Sequence, residues 1–190
     1  MAVKEVVGNL LTSDAEVILH QVNHEGFMDG GIAKQIKENL LGTEGFERYR
    51  ALCMQKRDLL TGENYVYRLP QDKGVAYVIN MFSQNAKPVY VGGRKEFTNY
   101  LALKMCLEMV RDDGRFFCKK IGIPGFLGCG IAGGDWAVVH EIIQDVFDNS
   151  EEDVTIYFLS ENEFERSKRI IEGVNYNPED SKESDQRTEE

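Results

Sequence analysis

Two rhythms of apolar residues alternate along this chain: short blocks with the period of a strand and longer stripes with the period of a helix. Val3 to Val7 alternates and stops at Gly8-Asn9, while Glu16 to Asn23 is nearly continuously apolar, as expected for a strand covered on both faces. That run breaks over residues 24–31, after which Ile32, Ile36 and Leu40 fall on one helical stripe. Glu44 to Gln55 predicts a second helix carrying Phe46, Tyr49 and Leu52. Tyr65 to Leu69 and Val75 to Asn80 predict two strands, divided by a turn over Pro70 to Gly74. Phe82 to Glu96 reads as a long irregular loop, of a size that is often functional in compact domains. Phe97 to Arg111 predicts a helix with Leu101, Met105, Leu107 and Val110 toward the core. A short strand at Ile121 and Ile123 enters a glycine-rich loop, and Asp135 stands as the N-cap of a helix running to Phe147. Val154 to Leu159 closes the sheet, and Glu161 to Ile171 forms a last helix.

Strands alternating with helices predict an α/β fold, a three-layer α/β/α sandwich around a central mixed sheet of about six strands. One domain spans 1–172, and from Gly173 to Glu190 the chain turns polar and acidic, which predicts a solvated tail. Ligands in such sheets sit beyond the carboxyl ends of the strands. Two glycine-rich loops leave strands there, Gly26–Gly31 after the second strand and Gly125–Gly134 after the fifth. Glycines let successive backbone N–H groups point into one concavity, and a helix N-terminus adds partial positive charge. No Lys or Arg lies between Lys120 and Arg166, so an anion held by the second loop would be held by main chain. The alternative is a glycine-rich connection with no ligand.

Composition narrows the classes. The formal charge of −10 argues against a nucleic-acid-binding surface and equally against an anionic membrane surface. No apolar run is long enough to span a bilayer, and Met-Ala-Val-Lys-Glu does not open a signal peptide. The four cysteines (Cys53, Cys106, Cys118, Cys129) show no Cys-x-x-Cys pairing or metal-ligand spacing. Reduced thiols and a cytoplasmic location are therefore expected, with no metal and no cofactor.

Three stretches carry a resemblance: Gly8-Asn-Leu, His20-Gln-Val-Asn-His-Glu-Gly-Phe-Met-Asp-Gly-Gly-Ile-Ala33, and Ile123-Pro-Gly-Phe-Leu-Gly-Cys-Gly-Ile-Ala-Gly-Gly-Asp-Trp136. In this order and these strand contexts, they resemble the macrodomain family, whose α/β fold binds ADP-ribose. The likeness is nearest to the branch of ADP-ribose-1''-phosphate phosphatases and hydrolases that release ADP-ribose from glutamate. It implies that Asn9 and Leu10 meet the adenine and that Asn23 hydrogen-bonds the distal ribose. The family usually has Asp where this chain has Asn9, so the contact to the adenine amino group loses its charge. Gly30, Gly31 and Ile32 would pass under the diphosphate, and Gly128, Cys129, Gly130 and Ile131 would cover it. Read from the residues themselves, Asn80 and Gln84 flank the start of the long loop as candidates to line the distal pocket, though Asn80 equally only ends its strand. Phe126, Phe82 and Tyr90 are the loop aromatics able to stack on adenine or ribose, and Pro124 joins the candidate ligand-binding set.

The resemblance departs at the chemistry. Glutamate-releasing members use a Lys just after the fourth strand and an Asp directly after Gly-Cys-Gly-x. Met81 and Ala132 stand at those places here, which argues against a covalent lysine mechanism. Hydrolysis would then use a positioned water, with His20, Asn23 and Asp29 as candidate catalytic residues. His20 has an ordinary pKa well placed for a general base but is equally a strand histidine satisfied by backbone. Asp29 is equally a turn residue ahead of Gly-Gly. Cys129, between glycines near a helix start, is a candidate for a lowered pKa or for simple packing. Three functions compete: a hydrolase of ADP-ribose derivatives, a non-catalytic reader of ADP-ribose or of ADP-ribosylated protein, and a nicotinamide-dependent oxidoreductase. The last rests on Gly128-x-Gly130-x-x-Gly133, which has the dinucleotide fingerprint's letters without its strand–turn–helix context.

Overall fold

The computed structural model describes residues 3–70, 74–148 and 150–173. Among these residues eight strands and five α-helices follow in chain order: β1 (Lys4–Val7), β2 (Val17–Val22), α1 (Gly31–Ile36), α2 (Gly42–Lys56), β3 (Asn64–Arg68), β4 (Tyr77–Phe82), β5 (Gln84–Val91), β6 (Arg94–Thr98), α3 (Tyr100–Asp112), β7 (Lys120–Pro124), α4 (Trp136–Phe147), β8 (Asp153–Phe158) and α5 (Glu161–Ile171). Six strands form one mixed sheet in the order β1-β8-β7-β2-β4-β3, all parallel except β3, which runs antiparallel to β4. The α/β sandwich expected from the pattern is the observed fold.

Burial explains the layers. Every residue of β2 is buried, which requires cover on both faces. Val17 and Leu19 face Leu103, Leu107, Val139 and Ile143 of α3 and α4, while Ile18 and Val22 face Ile36, Leu40, Tyr49 and Cys53 of the α1–α2 layer. α5 joins the first side, where the Trp136 indole donates to the Ser167 hydroxyl at 2.7 Å. α1 passes into α2 through a wider helical turn, Lys37–Leu41, which ends at Gly42 with a φ of 62°. β8 lies between β1 and β7, so β1 and not β8 is the edge strand.

Asp135 caps α4 as expected, accepting from the Ala137 amide at 2.9 Å. Ser160 caps α5 by accepting from the Glu163 amide, and the Glu163 carboxylate in turn accepts from the Leu159 amide at 2.9 Å, one residue before the cap.

Two expectations are corrected. The segment read as an irregular loop is the antiparallel hairpin β5–β6, turned by Gly92 and Gly93, both with positive φ. That two-residue turn between β-branched and aromatic residues is a hairpin signal. The hairpin absorbs Phe97, and Asn99 caps α3 from Tyr100 by accepting from the Ala102 amide at 3.0 Å. The core face of α3 is Leu103, Cys106, Leu107 and Val110, whereas Leu101 and Met105 are 71% and 45% exposed. The expected turn at Pro70–Gly74 falls partly, and the acidic tail beyond Gly173 wholly, outside the described residues.

Candidate functional site

At the carboxyl ends of the parallel strands lies a cleft of about 780 Å³. It crosses the sheet from β1 to β2, three strand spacings or roughly 14 Å at about 4.8 Å each. Gly8, Asn9 and Leu10, where the chain leaves β1, form one end together with Tyr157 and Leu159 from the exit of β8. Gln21 at the end of β2 and Gln84 at the start of β5 belong to the other end. Between them the first glycine loop contributes Gly30, Gly31 and Ile32, and the second contributes Gly128, Gly130 and Ile131. Pro124 and Phe126 line the cleft where β7 ends.

The two loops touch across the opening. The Ile131 side chain, 81% exposed, reaches over to Gly30, where its Cδ1 occupies the space that a Cβ would need. A Cβ at Gly30 would push the end of that exposed side chain aside, so the contact between the loops is one of close approach that the Ile131 side chain can yield.

Each loop is held differently. Asn23 organises the first one from its root: its Oδ1 accepts from the amides of Glu25 (2.9 Å) and Phe27 (3.3 Å), its Nδ2 donates to the Phe27 carbonyl (2.9 Å), and the Tyr49 hydroxyl donates to its carbonyl (2.6 Å). The second loop folds on itself through Cys129 N to Phe126 O (2.8 Å) and Gly134 N to Gly128 O (2.9 Å). It is then braced by the hairpin: the Phe97 amide donates to the Ala132 carbonyl (2.7 Å) and the Thr98 hydroxyl to the Gly128 carbonyl (2.7 Å). Gly133, with a φ of 71°, presses on the Lys95 carbonyl so closely that no Cβ fits.

Beneath this brace Gln21 forms a buried polar hub. Its Nε2 donates to the Ser83 carbonyl at 3.1 Å, and its Oε1 accepts from Gln84 Nε2 at 3.1 Å. Such a hub pays the desolvation of a polar side chain on an otherwise apolar strand and orients both amides toward the cleft floor.

Of the residues expected in the site, Asn9, Leu10, Gly30, Gly31, Ile32, Pro124, Phe126, Gly128, Gly130 and Ile131 line this one cleft. His20, Asn23, Asp29, Asn80 and Cys129 do not. His20 and Asn80 are register partners on β2 and β4, both fully buried, with His20 Nε2 2.5 Å from Asn80 Oδ1. Burial pushes the imidazole down to about 4, against a smaller raising effect of the Asn80 bond, so the ring stays neutral. Asp29 is exposed and pairs with Lys37 at 3.1 Å. Burial raises the Cys129 thiol to about 12, the reverse of the lowering considered from its place in the loop, and its Sγ rests 3.2 Å from the Leu127 carbonyl. Met81 is fully buried in the core.

Sequence reasoning missed Gln21, Lys34, Tyr157, Leu159 and Glu163 as cleft residues. A glutamine near the end of an all-buried strand was a usable signal for Gln21. Tyr157 and Leu159 come to the cleft because β8 is internal, which no local pattern reports. Lys34 adds a cation at the rim, beyond the main-chain donors expected, and the Arg166 guanidinium lies 4.9 Å over the Phe126 ring. Among the described residues no helix is long and apolar enough to cross a membrane.

Comparison with known proteins reveals likeness in structure and none in sequence families. No family model matches the chain, nor does any curated protein sequence. Among solved structures, the macrodomain of Mycobacterium tuberculosis DarG superposes with a TM-score of 0.66 at 23% identity, covering 82% of this chain and 96% of that one. The Oceanobacillus iheyensis macrodomain with MES bound gives 0.63 at 19% identity, covering 90% of each chain. Thermosipho africanus DarTG in complex with ADP-ribose gives 0.63 at 19%, covering 83% of this chain and 43% of that one. At these identities the likeness establishes the macrodomain fold.

Proposed function

We propose that a chain with this fold and this cleft binds ADP-ribose or a derivative of it. One observation carries the reading: two glycine loops from different parts of the chain face each other over a single cleft and touch through Ile131 and Gly30. The adenosine would lie against Asn9, Leu10, Tyr157 and Leu159. The diphosphate would lie between the loops, met by backbone N–H groups and by Lys34 at the rim. The distal ribose would lie over Gln21 and Gln84. Asn23 would act on the ligand through the first loop, because its side chain is spent on that loop's amides. The ADP-ribose complex of the T. africanus protein, which shares the fold, supports the choice of ligand.

Of the two possible fates of the ligand, recognition without turnover is favoured by the chemistry around the cleft. The His20 imidazole is buried against Asn80, Asp29 is paired at the surface, and Met81 lies in the core. Glu163, a carboxylate on the cleft wall, is committed to the Leu159 amide at the adenosine end. Hydrolysis by a positioned water, on ADP-ribose 1''-phosphate or an ADP-ribosylated side chain, is the second reading. Gln21 and Gln84 favour it, since their amides could orient a water beside the distal ribose, though neither can take its proton.

Calorimetric titration with ADP-ribose, NAD and AMP tests the ligand, and preference for ADP-ribose over AMP by tenfold or more is expected. Comparable affinity for all three, or none for ADP-ribose, would remove the proposal. Incubation with ADP-ribose 1''-phosphate and with ADP-ribosylated protein separates the fates: release of phosphate or ADP-ribose selects the hydrolase, and tight binding without release selects the reader.

A further inference from the structure

The hairpin β5–β6 stands apart from the six-stranded sheet and differs in charge from the rest of the molecule. On a chain with a formal charge of −10, it exposes Lys87, Arg94 and Lys95, while its one acidic residue, Glu96, is buried. Among the described residues none of these three cations pairs with a carboxylate, although Lys4, Lys37, Arg48, Arg115 and Lys119 elsewhere all do. Between them the hairpin exposes Val89, Tyr90 and Val91, at 48%, 67% and 52%. By the register, Tyr90 shares a face with its partner Lys95, and Val89 and Val91 share the other face with Arg94, so each face of the ribbon sets exposed apolar surface beside a cation, the composition of an interaction surface.

The hairpin is also tied to the cleft. It starts at Gln84 on the cleft floor, its Phe97 amide and Thr98 hydroxyl hold the second glycine loop, and its Lys95 carbonyl seats Gly133. Its base is fixed to α3 by the bond from Asn99 Nδ2 to Asn85 Oδ1 at 2.9 Å. The hairpin therefore begins at the Gln84 end of the cleft.

We infer that the hairpin is a docking arm for an acidic polypeptide segment that carries the ligand of the cleft. The inference rests on the reading of the cleft as an ADP-ribose site and names the carrier: a protein chain with carboxylates flanking the modified residue. Lys87, Arg94 and Lys95 would meet those carboxylates, and Tyr90 and the two valines would cover apolar side chains between them. Charge selects a short acidic segment over a nucleic acid. A long polyanion would run onto the acidic remainder of the surface, whereas a few carboxylates need only the local field, which at 0.1 M salt reaches about 10 Å.

The test compares four ligands by fluorescence anisotropy or calorimetry: free ADP-ribose, a glutamate-rich peptide bearing one ADP-ribosyl group, an uncharged peptide of equal length bearing the same group, and an ADP-ribosylated oligonucleotide. The modified acidic peptide is expected to bind about tenfold more tightly than free ADP-ribose or the uncharged peptide, with the gain lost at 1 M salt. Lys87→Glu/Arg94→Glu should abolish that gain while leaving free ADP-ribose affinity unchanged, which also shows that the variant is folded. Tyr90→Ala, with no charge change, should lose part of the gain. Equal affinity for the acidic and uncharged peptides, or a gain that survives charge reversal, would overturn the docking arm. A hairpin-dependent gain confined to the oligonucleotide would overturn the choice of carrier. Failure of free ADP-ribose to bind would instead overturn the cleft reading. In that case, charge-sensitive binding of the unmodified acidic peptide would still support the arm, and its absence would refute it.

Discussion

The two glycine loops meet over one cleft, yet they are built on opposite plans. The first is local: Asn23 at its root satisfies the amides of residues two and four positions later, and the chain runs directly into α1. The second is shaped from a distance, because Thr98, Phe97 and Lys95 of the hairpin and Gln21 of β2 form the bed on which its glycines lie. A locally built loop loses shape through one side chain. A loop built on a bed loses shape when the bed is pushed, which makes backbone volume its sensitive coordinate.

The largest effect expected from this difference is at the second loop. Gly133→Ala puts a Cβ into the Lys95 carbonyl at a positive φ, and should cost about 4 kcal/mol in denaturant unfolding and remove ADP-ribose binding. Acid should come next and act through the strand that leads to the first loop. Burial holds His20 near 4 in the folded state, whereas in the unfolded chain it titrates near 6.5. The unfolded chain therefore takes up a proton first as the pH falls. Stability is full above about 6.5 and declines by about 3 kcal/mol toward pH 4, a slope that His20→Gln should remove when melts are compared across pH. Asn23→Ala should cost about 2 kcal/mol, since it strips partners from the Glu25 and Phe27 amides, while the Tyr49 hydroxyl keeps its 2.6 Å bond to the Asn23 carbonyl. Its affinity loss should exceed that of any other single side-chain truncation at the first loop. The smallest effect is at the meeting point. Ile131→Ala should change stability by less than about 0.5 kcal/mol because the side chain is exposed, and should weaken ADP-ribose binding about threefold by opening the strap.

The same contrast decides what could be read from the chain. β2, the Asp135 cap and both glycine loops are written in adjacent residues, so their places were legible. The hairpin was also written locally, in Val89-Tyr90-Val91 before Gly92-Gly93, but the polar residues and Pro88 around it made it read as a loop. Tyr157 and Leu159 were illegible as site residues because their role depends on β8 inserting beside β7. His20 and Asn80 each looked available to a ligand, and only the β2–β4 register shows that they engage each other. In this molecule the glycines that shape the cleft were readable, and the polar side chains that support it were set by pairings across the sheet.

The central claim is that both loops serve one ligand. Amide chemical shifts of Gly30, Gly31, Gly128 and Gly130 followed together during an ADP-ribose titration test it most directly. All four should move and saturate along one binding curve. Movement confined to a single loop, or two curves with different midpoints, would contradict it.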